Sequence, residues 1–266
     1  MNFQDILYTI EDRVALIKLN RPKALNAMTL PLMEELGQAF DQAATDPAVK
    51  VIVLTGEGRG FSTGADLAAT AAKPPLDVQG RLDLGYALDR YYNPLILKMR
   101  SLPKPVIAAV NGVAAGAGAN LALMADLTIA ARSSYFLQAF VNIGLIPDAG
   151  GTWILPRALG QQRAMGLALL GERLPAEQAR DWGLIWEVMD DEQLLPGVLT
   201  LARRLADGPA IAIERIKRAV HAAAGNDLAK QLDLESDLQR ECGRSLDFQE
   251  GAMAFVQKRK PNFKGR

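Results

Sequence analysis

The chain contains one cysteine, Cys242, and one histidine, His221. No intramolecular disulfide can form, and zinc-finger spacing has no ligands to build it. A Ser-His-Asp triad would have to use His221, and a Cys-His pair would require these two residues to meet. His221 lies in Arg218-Ala-Val-His-Ala-Ala223, which reads as an ordinary helical stretch. Net charge is also lacking, because 30 Lys and Arg balance 30 Asp and Glu. That balance gives no ground to expect nucleic acid or a membrane surface as partner. The first residues, Met1-Asn-Phe-Gln-Asp5, hold no basic segment followed by an apolar core. No secretory leader is expected, and a cytoplasmic location follows. The longest uncharged run, Val106–Ala125, is broken by glycines and by Asn111 and Asn120, and reads as strand, loop and helix rather than a membrane span.

Two glycine-rich signatures are incomplete. Gly116-Ala-Gly118 begins like a dinucleotide fingerprint, but Leu121 occupies the third glycine position. Gly56-Glu-Gly-Arg-Gly60 lacks the Lys-Ser/Thr of a phosphate loop. Nicotinamide and nucleotide-hydrolysing chemistry are therefore poorly supported.

What is present is an α/β pattern. With 266 residues and 49% hydrophobic composition, the chain can bury one large core. Ile6–Ile10 and Val14–Leu19 read as a hairpin around Glu11-Asp12-Arg13. Thr29 caps a helix to about Ala44, with Leu32, Met33, Leu36, Ala39, Phe40 and Ala43 at helical spacing. Val49–Thr55, Val106–Val110 and Leu127–Ala131 read as buried strands. Ala68–Gly80 reads as a mobile stretch, Asp83–Arg100 as a helix interrupted near Pro94, and Gly112–Ala119 as the lead into a helix ending near Ala125. From Leu195 onward only helices are expected: Leu195–Ala206, Ala210–Ala224, Leu228–Gly243 and Phe248–Gln257. A boundary near 195 then separates residues 1–195 from residues 196–266.

Two small-residue loops each follow a buried strand: Phe61-Ser-Thr-Gly-Ala-Asp66 and Gly116-Ala-Gly118. If their strands are neighbours, both loops leave the same sheet edge, where ligands usually bind. The N–H groups of Ala65 and Ala117 could then converge on one oxygen and stabilise an enolate. Close helix–strand packing selects the same small residues. Asp148 is the only charged residue between Ser133 and Pro156. A carboxylate in apolar surroundings has a raised pKa and is a better base near neutral pH. Pro-Asp-Ala-Gly-Gly could equally open a helix, with Asp148 as its cap.

The chain resembles the enoyl-CoA hydratase/isomerase (crotonase) superfamily over nearly its whole length. The matching segments are Asn20-Arg-Pro-Lys-Ala-Leu-Asn26, Phe61–Asp66, Lys104-Pro-Val-Ile-Ala-Ala-Val-Asn-Gly112, Ile146-Pro-Asp-Ala-Gly-Gly151 and Ala254-Phe-Val-Gln-Lys-Arg-Lys-Pro-Asn-Phe263. The resemblance implies an α/β fold, a spiral of ββα units followed by a C-terminal helical trimerisation region. It also implies an acyl-CoA thioester substrate and a homotrimer or dimer of trimers, without nucleic acid or membrane. Coenzyme A would be part of the substrate, with no separate cofactor and no metal. The thioester oxygen would sit between the N–H groups of Ala65 and Ala117. Lys23, Ala24 and Leu25, with Ala65, Asp66 and Leu67, would contact the CoA. Five bases lie in the last nine residues, Lys258, Arg259, Lys260, Lys264 and Arg266. Lys258 or Lys260, with Phe263, would close the CoA site, from a neighbouring subunit or the same one; a solvated basic tail is the alternative.

The departures from the family pattern matter more. Hydratases of the family carry two glutamates, and here those positions are Asn120 and Phe140. Where they carry Gly after Ile-Pro, this chain has Asp148. That combination is similar to the family's isomerases, in which one carboxylate moves a proton beside the thioester. The stretches Asn111–Asn120 and Gly144–Trp153, with Arg163–Gly171 and Asp181-Trp-Gly-Leu-Ile-Trp186, look most like isomerases that turn the ring epoxide of phenylacetyl-CoA into an oxepin. Double-bond shifts between the 3,4 and 2,3 positions are a related activity. Phe136, Phe140 and Trp153 would line an aromatic acyl pocket, and Asn120 would orient substrate or water or simply serve its helix. The rival readings are a thioester hydrolase or hydratase on the same fold, and a non-catalytic partner of a hydratase.

Overall fold

The computed structural model of the protein describes residues 3–265. β1 (Ile6–Glu11) and β2 (Val14–Leu19) pair antiparallel around Asp12 and Arg13, whose φ values of 49° and 64° make the tight turn. α1 (Leu30–Thr45) starts where the Thr29 hydroxyl accepts the Leu32 N–H. Its six apolar residues expected at helical spacing are its buried residues. β3 (Val51–Gly56) is buried along its whole length and runs parallel to β2.

From β3 onward the chain repeats one manoeuvre. It leaves the large sheet, adds a short strand to a second sheet and then forms a helix. β3 is followed by β4 (Gly60–Ser62) and α2 (Leu67–Ala72). After α3 (Gly85–Ala87), a π-helical turn at Leu88–Tyr92 and α4 (Asn93–Ser101), the next unit is β5 (Val106–Val110), β6 (Val113–Ala115) and α5 (Ala117–Leu123). The third is β7 (Leu127–Ala131) and β8 (Tyr135–Leu137), then α6 (Gly151–Leu159) and α7 (Gln161–Leu170). β9 (Arg173–Pro175), α8 (Ala176–Asp181) and β10 (Glu187–Met189) complete the sheets. The large sheet has the order β1-β2-β3-β5-β7-β10 and the small one β4-β6-β8-β9. This is the spiral of ββα units that the resemblance implies.

The four helices of the last third are α9 (Leu194–Ala206), α10 (Ala210–Ala223), α11 (Leu228–Gly243) and α12 (Leu246–Val256). α9 presents Leu194, Val198, Ala202 and Ala206 at four-residue spacing to Val51, Val53, Ile107, Ala109 and Ile129, covering the back of the large sheet. α10 is tied to the core by a buried ion pair. Lys217 Nζ lies 2.8 Å from Asp126 Oδ2, and His221 Nε2 lies 3.2 Å from Asp126 Oδ1. His221 is thus engaged with Asp126 in α10, where the sequence places a plain helical residue.

Two local expectations change. Residues 67–72, which overlap the start of the stretch read as mobile, form α2, capped by the Asp66 carboxylate. Pro94 does not interrupt its helix, because it occupies the first turn of α4, where no N–H is needed. The irregularity falls before it, as the π turn. β4, β6, β8, β9 and β10 are three residues each, too short to leave a periodic pattern.

Candidate active site

Parallel pairing of β3 with β5 and of β4 with β6 brings both small-residue loops to one edge. Side-chain amides weld the first loop to its neighbours. Asn26 Nδ2 donates to the carbonyls of Glu57 (3.0 Å) and Gly60 (2.8 Å), and Asn111 Nδ2 donates to Gly58 O at 2.8 Å. Ser62 Oγ donates to Asn26 O at 2.8 Å and accepts from Gly64 N at 3.2 Å. Gly60-Phe-Ser-Thr-Gly64 has the Gly-x-Ser-x-Gly spacing of a nucleophile elbow. Ser62 is fully buried and engaged with backbone, and the one histidine is held by Asp126, so no nucleophile–base pair exists there.

The two loops touch. A β-carbon on Gly118 would fall 2.6 Å from Ser62 O, so only glycine fits. Ala65 forms a parallel bridge with Met28 through Met28 N to Gly64 O (2.7 Å) and Asp66 N to Met28 O (3.0 Å). Those bonds use its neighbours' groups and leave the Ala65 N–H on the opposite side of the strand. Ala117 opens α5, so its N–H has no intrahelical acceptor. Two unspent backbone donors therefore stand in adjoining loops.

Asp148 lies in the turn before α6, but it does not cap that helix. Gly150 holds the cap position, with no side-chain cap bond. Burial pushes the Asp148 carboxyl up to about 6. Its Oδ1 is buried with no hydrogen-bond partner. The backbone around it is tightly constrained. Ala149 has φ 46° and Gly150 φ 83°, and a β-carbon on Gly150 or Gly151 would strike Met124 Cε (2.1 Å) or Asn120 Nδ2 (2.4 Å). Asn120 is fully buried one turn along α5 from Ala117, and its Nδ2 donates to the Asp148 carbonyl at 2.8 Å. Asp148 is thus built against the same short helix that offers the Ala117 N–H.

Phe140 packs beside this cradle, its Cζ 3.7 Å from a β-carbon on Gly116, while Phe136 is 2% exposed in the core. Trp153 is half-buried, with the guanidinium groups of Arg157 and Arg100 over its ring at 4.2 and 5.3 Å. Two residues not singled out from the sequence join the site. Gln138 donates from Nε2 to Asn120 Oδ1 at 2.9 Å. Tyr92, a buried residue of the π turn, has its phenol pKa raised by burial and then by the charges of Asp148 and Asp66. A buried glutamine and a tyrosine in a helical run carry no sequence signal of their own.

The CoA-side residues divide into two groups. Thr63 N donates to Leu25 O at 3.1 Å, so Lys23, Ala24 and Leu25 lie beside Ala65, Asp66 and Leu67. The Asp66 carboxylate is held by the Ala69 N–H at 3.0 Å and by Arg21 at 2.9 Å, which lowers its pKa. Lys258 is exposed, and Phe263 packs on Gly251. Gly265 then lies by Lys50, which precedes β3, whereas the site follows it. A six-residue strand of about 20 Å separates those ends, so within one chain the tail is at the far edge of the sheet. Arg266 lies outside the described residues. An open groove of about 900 Å³ is formed by α10, α11 and α12 with Phe263 and includes none of Ala65, Ala117 or Asp148.

A ββα spiral with a buried carboxylate held against the helix that opens with a free backbone donor defines a crotonase-fold protein with the parts for proton transfer next to a carbonyl. The chain belongs to the enoyl-CoA hydratase/isomerase family, whose model matches residues 9–266. It is 50% identical to 1,2-epoxyphenylacetyl-CoA isomerase of Escherichia coli, covering 98% of each chain. It is 47% identical to a probable enoyl-CoA hydratase of Rhodobacter capsulatus, covering 100% of each chain. The solved enoyl-CoA hydratase of Bacillus anthracis superposes with a TM-score of 0.92 at 32% identity, covering 99% of this chain and 100% of that one.

Proposed function

We propose that the protein is an acyl-CoA isomerase that moves the C2 proton of a CoA thioester, with the ring epoxide of phenylacetyl-CoA as substrate and oxepin-CoA as product. The observation that carries this reading is Asp148: a carboxylate with a pKa near 6 and an unpaired buried oxygen, held against the helix that begins with the Ala117 N–H. The thioester oxygen docks between the N–H groups of Ala65 and Ala117. Asp148 takes the C2 proton, and the electron pair moves onto that oxygen. As the carbonyl re-forms, the pair enters a double bond from C2 to the ring, the six-membered ring opens to the seven-membered ether, and Asp148 returns the proton to a ring carbon. One proton moves and no atom is gained or lost. Each donor, and the base, contributes about 2–4 kcal/mol. The same machinery serves a 3,4-to-2,3 double-bond shift.

Water addition is disfavoured by Asn120 and Phe140, which offer no acid or base at the two positions that hydratases use. The 50% identity to an isomerase supports the choice. CoA lies along Lys23–Leu25 and Ala65–Leu67, and Lys258 and Phe263 reach it from a neighbouring subunit. Exposed Ile216, Val220, Leu228, Leu232, Phe248 and Phe255 on the C-terminal helices support a trimer.

The test is C2 proton exchange into D2O with a phenylacetyl-CoA thioester and a 3-enoyl-CoA, comparing wild type with Asp148→Asn. Exchange that vanishes in a folded mutant supports the reading. Exchange that persists near the wild-type rate refutes Asp148 as base, and release of free CoA would indicate hydrolysis instead.

A further inference from the structure

Asp148 is placed through its backbone. Its Oδ1 has no partner, and the bond that fixes the residue from outside its own turn is the one from Asn120 Nδ2 to the Asp148 carbonyl. An amide side chain can present either its NH2 or its oxygen in a given direction. Asn120 presents NH2 to Asp148 because a carbonyl can only accept, and its Oδ1 is then held by the NH2 of Gln138. The reversed amide would set oxygen against oxygen at the Asp148 carbonyl.

Gln138 comes from a different part of the chain. It immediately follows β8, and the carbonyl of its neighbour Leu137 accepts the N–H of Gly116, the residue before Ala117. It therefore stands where the oxyanion loop and the base loop meet. It is 3% exposed, and its Oε1 is buried without a partner. Among the described residues four buried side-chain oxygens lack partners, and two of them, Gln138 Oε1 and Asp148 Oδ1, belong to this one network. Unpaired buried acceptors destabilise the fold, so their concentration here points to a role in the reaction.

We propose that Gln138 is a positioning residue for the base: by holding the Asn120 side chain through its Oδ1 it sets where Asp148 stands relative to the N–H groups of Ala65 and Ala117. The proposal rests on the reading of Asp148 as the base. It also gives Asn120 a role distinct from that of a hydratase acid, because both ends of its amide are occupied within the protein.

The experiment measures C2 exchange of a 3-enoyl-CoA in wild type, Asp148→Asn, Gln138→Met, Gln138→Glu and Asn120→Asp. Gln138→Met keeps the length of the side chain and removes its donor. Its kcat should fall roughly tenfold to a hundredfold, as small misplacements of a catalytic group do, while KM stays within about twofold. Gln138→Glu turns the donor into an acceptor facing Asn120 Oδ1 and adds a negative charge. Its acid limb should move to higher pH and its kcat should fall. Mere loosening of the fold would lower the active fraction without moving that limb. A folded Gln138→Met with wild-type kcat overturns the proposal. If that variant does not fold, Asn120→Asp decides, because it accepts from Gln138 but cannot donate to Asp148; wild-type kcat there overturns the proposal equally. With Asp148→Asn inactive, either result removes only the positioning role. Exchange retained by Asp148→Asn removes the base reading and this proposal with it.

Discussion

Gly64 stands against the backbone nitrogen of Ala117. A β-carbon on Gly64 would come 3.2 Å from that nitrogen and 2.8 Å from the Ala115 carbonyl oxygen, and Gly64 has φ 86°. The methyl of Gly64→Ala would crowd one proposed oxyanion donor and meet rigid backbone at the same time. The variant should lose at least about a hundredfold in kcat, the usual scale for removing one oxyanion donor. Positive φ should also cost about 1 kcal/mol of stability. Steady-state isomerase assays beside thermal melts check both. Full activity in Gly64→Ala would place the thioester oxygen elsewhere.

Asp148 should make the protein less stable than it could be. Its folded pKa is about 6, above the 3.8 of a free aspartate, because burial disfavours the charge. A raised folded pKa means that the protonated form favours the fold, and this contribution is lost as pH rises from about 4 through 6. Asp148→Asn should therefore raise stability at pH 7.5 by roughly 1–3 kcal/mol while abolishing exchange. Near pH 3.5 the gain should vanish. Urea midpoints at the two pH values give the answer, and a loss of stability at pH 7.5 would contradict it.

The activity profile should follow the same group. A base must be unprotonated, so kcat/KM should fall tenfold per unit below about pH 6 and level off above it. Tyr92 should add no limb near neutral pH, because burial and the charges of Asp148 and Asp66 push its phenol further up. Tyr92→Phe should leave the acid limb in place. A limb centred well below 5 would contradict the raised pKa of Asp148 as the working base, because kcat/KM reports the groups of the free enzyme.

Much of this arrangement is legible before folding. The hairpin, α1 and the long buried strands follow from alternation and helical spacing, because each element buries a continuous face. Asp148 shows itself as an isolated charge in an apolar run. The second sheet does not, because three residues such as Tyr135–Leu137 cannot display a period. Gln138 is equally silent. A glutamine two residues before Phe140 looks like any polar residue until β8 and β6 bring it to Asn120. The alternative reading of Asp148 as a cap fails for a similar reason: Ala149 and Gly150 both have positive φ, which moves the helix start past it.

The ion pair under α10 separates its partners by what each would leave behind. Asp126 accepts from Lys217, from His221 and from the Val106 N–H at 2.8 Å. Burial works against its charge, yet bonds from His221 and Lys217 leave its pKa lowered. Lys217, with a side chain 8% exposed, has its pKa lowered, because burial outweighs the pull of Asp126. Besides Asp126 it has only the carbonyls of Met99 and Lys104, at 3.3 and 3.2 Å. Asp126→Ala would strand a buried ammonium and should cost roughly 3–5 kcal/mol. Lys217→Met removes the poorly compensated charge and leaves Asp126 with two partners, so it should cost less than Asp126→Ala. The support that Asp126 gives is present at neutral pH and is lost as pH falls through its lowered pKa. Denaturant titrations of both variants test the order. If Lys217→Met proves the more damaging, the ammonium and its carbonyl contacts hold α10 to the core more strongly than the carboxylate does.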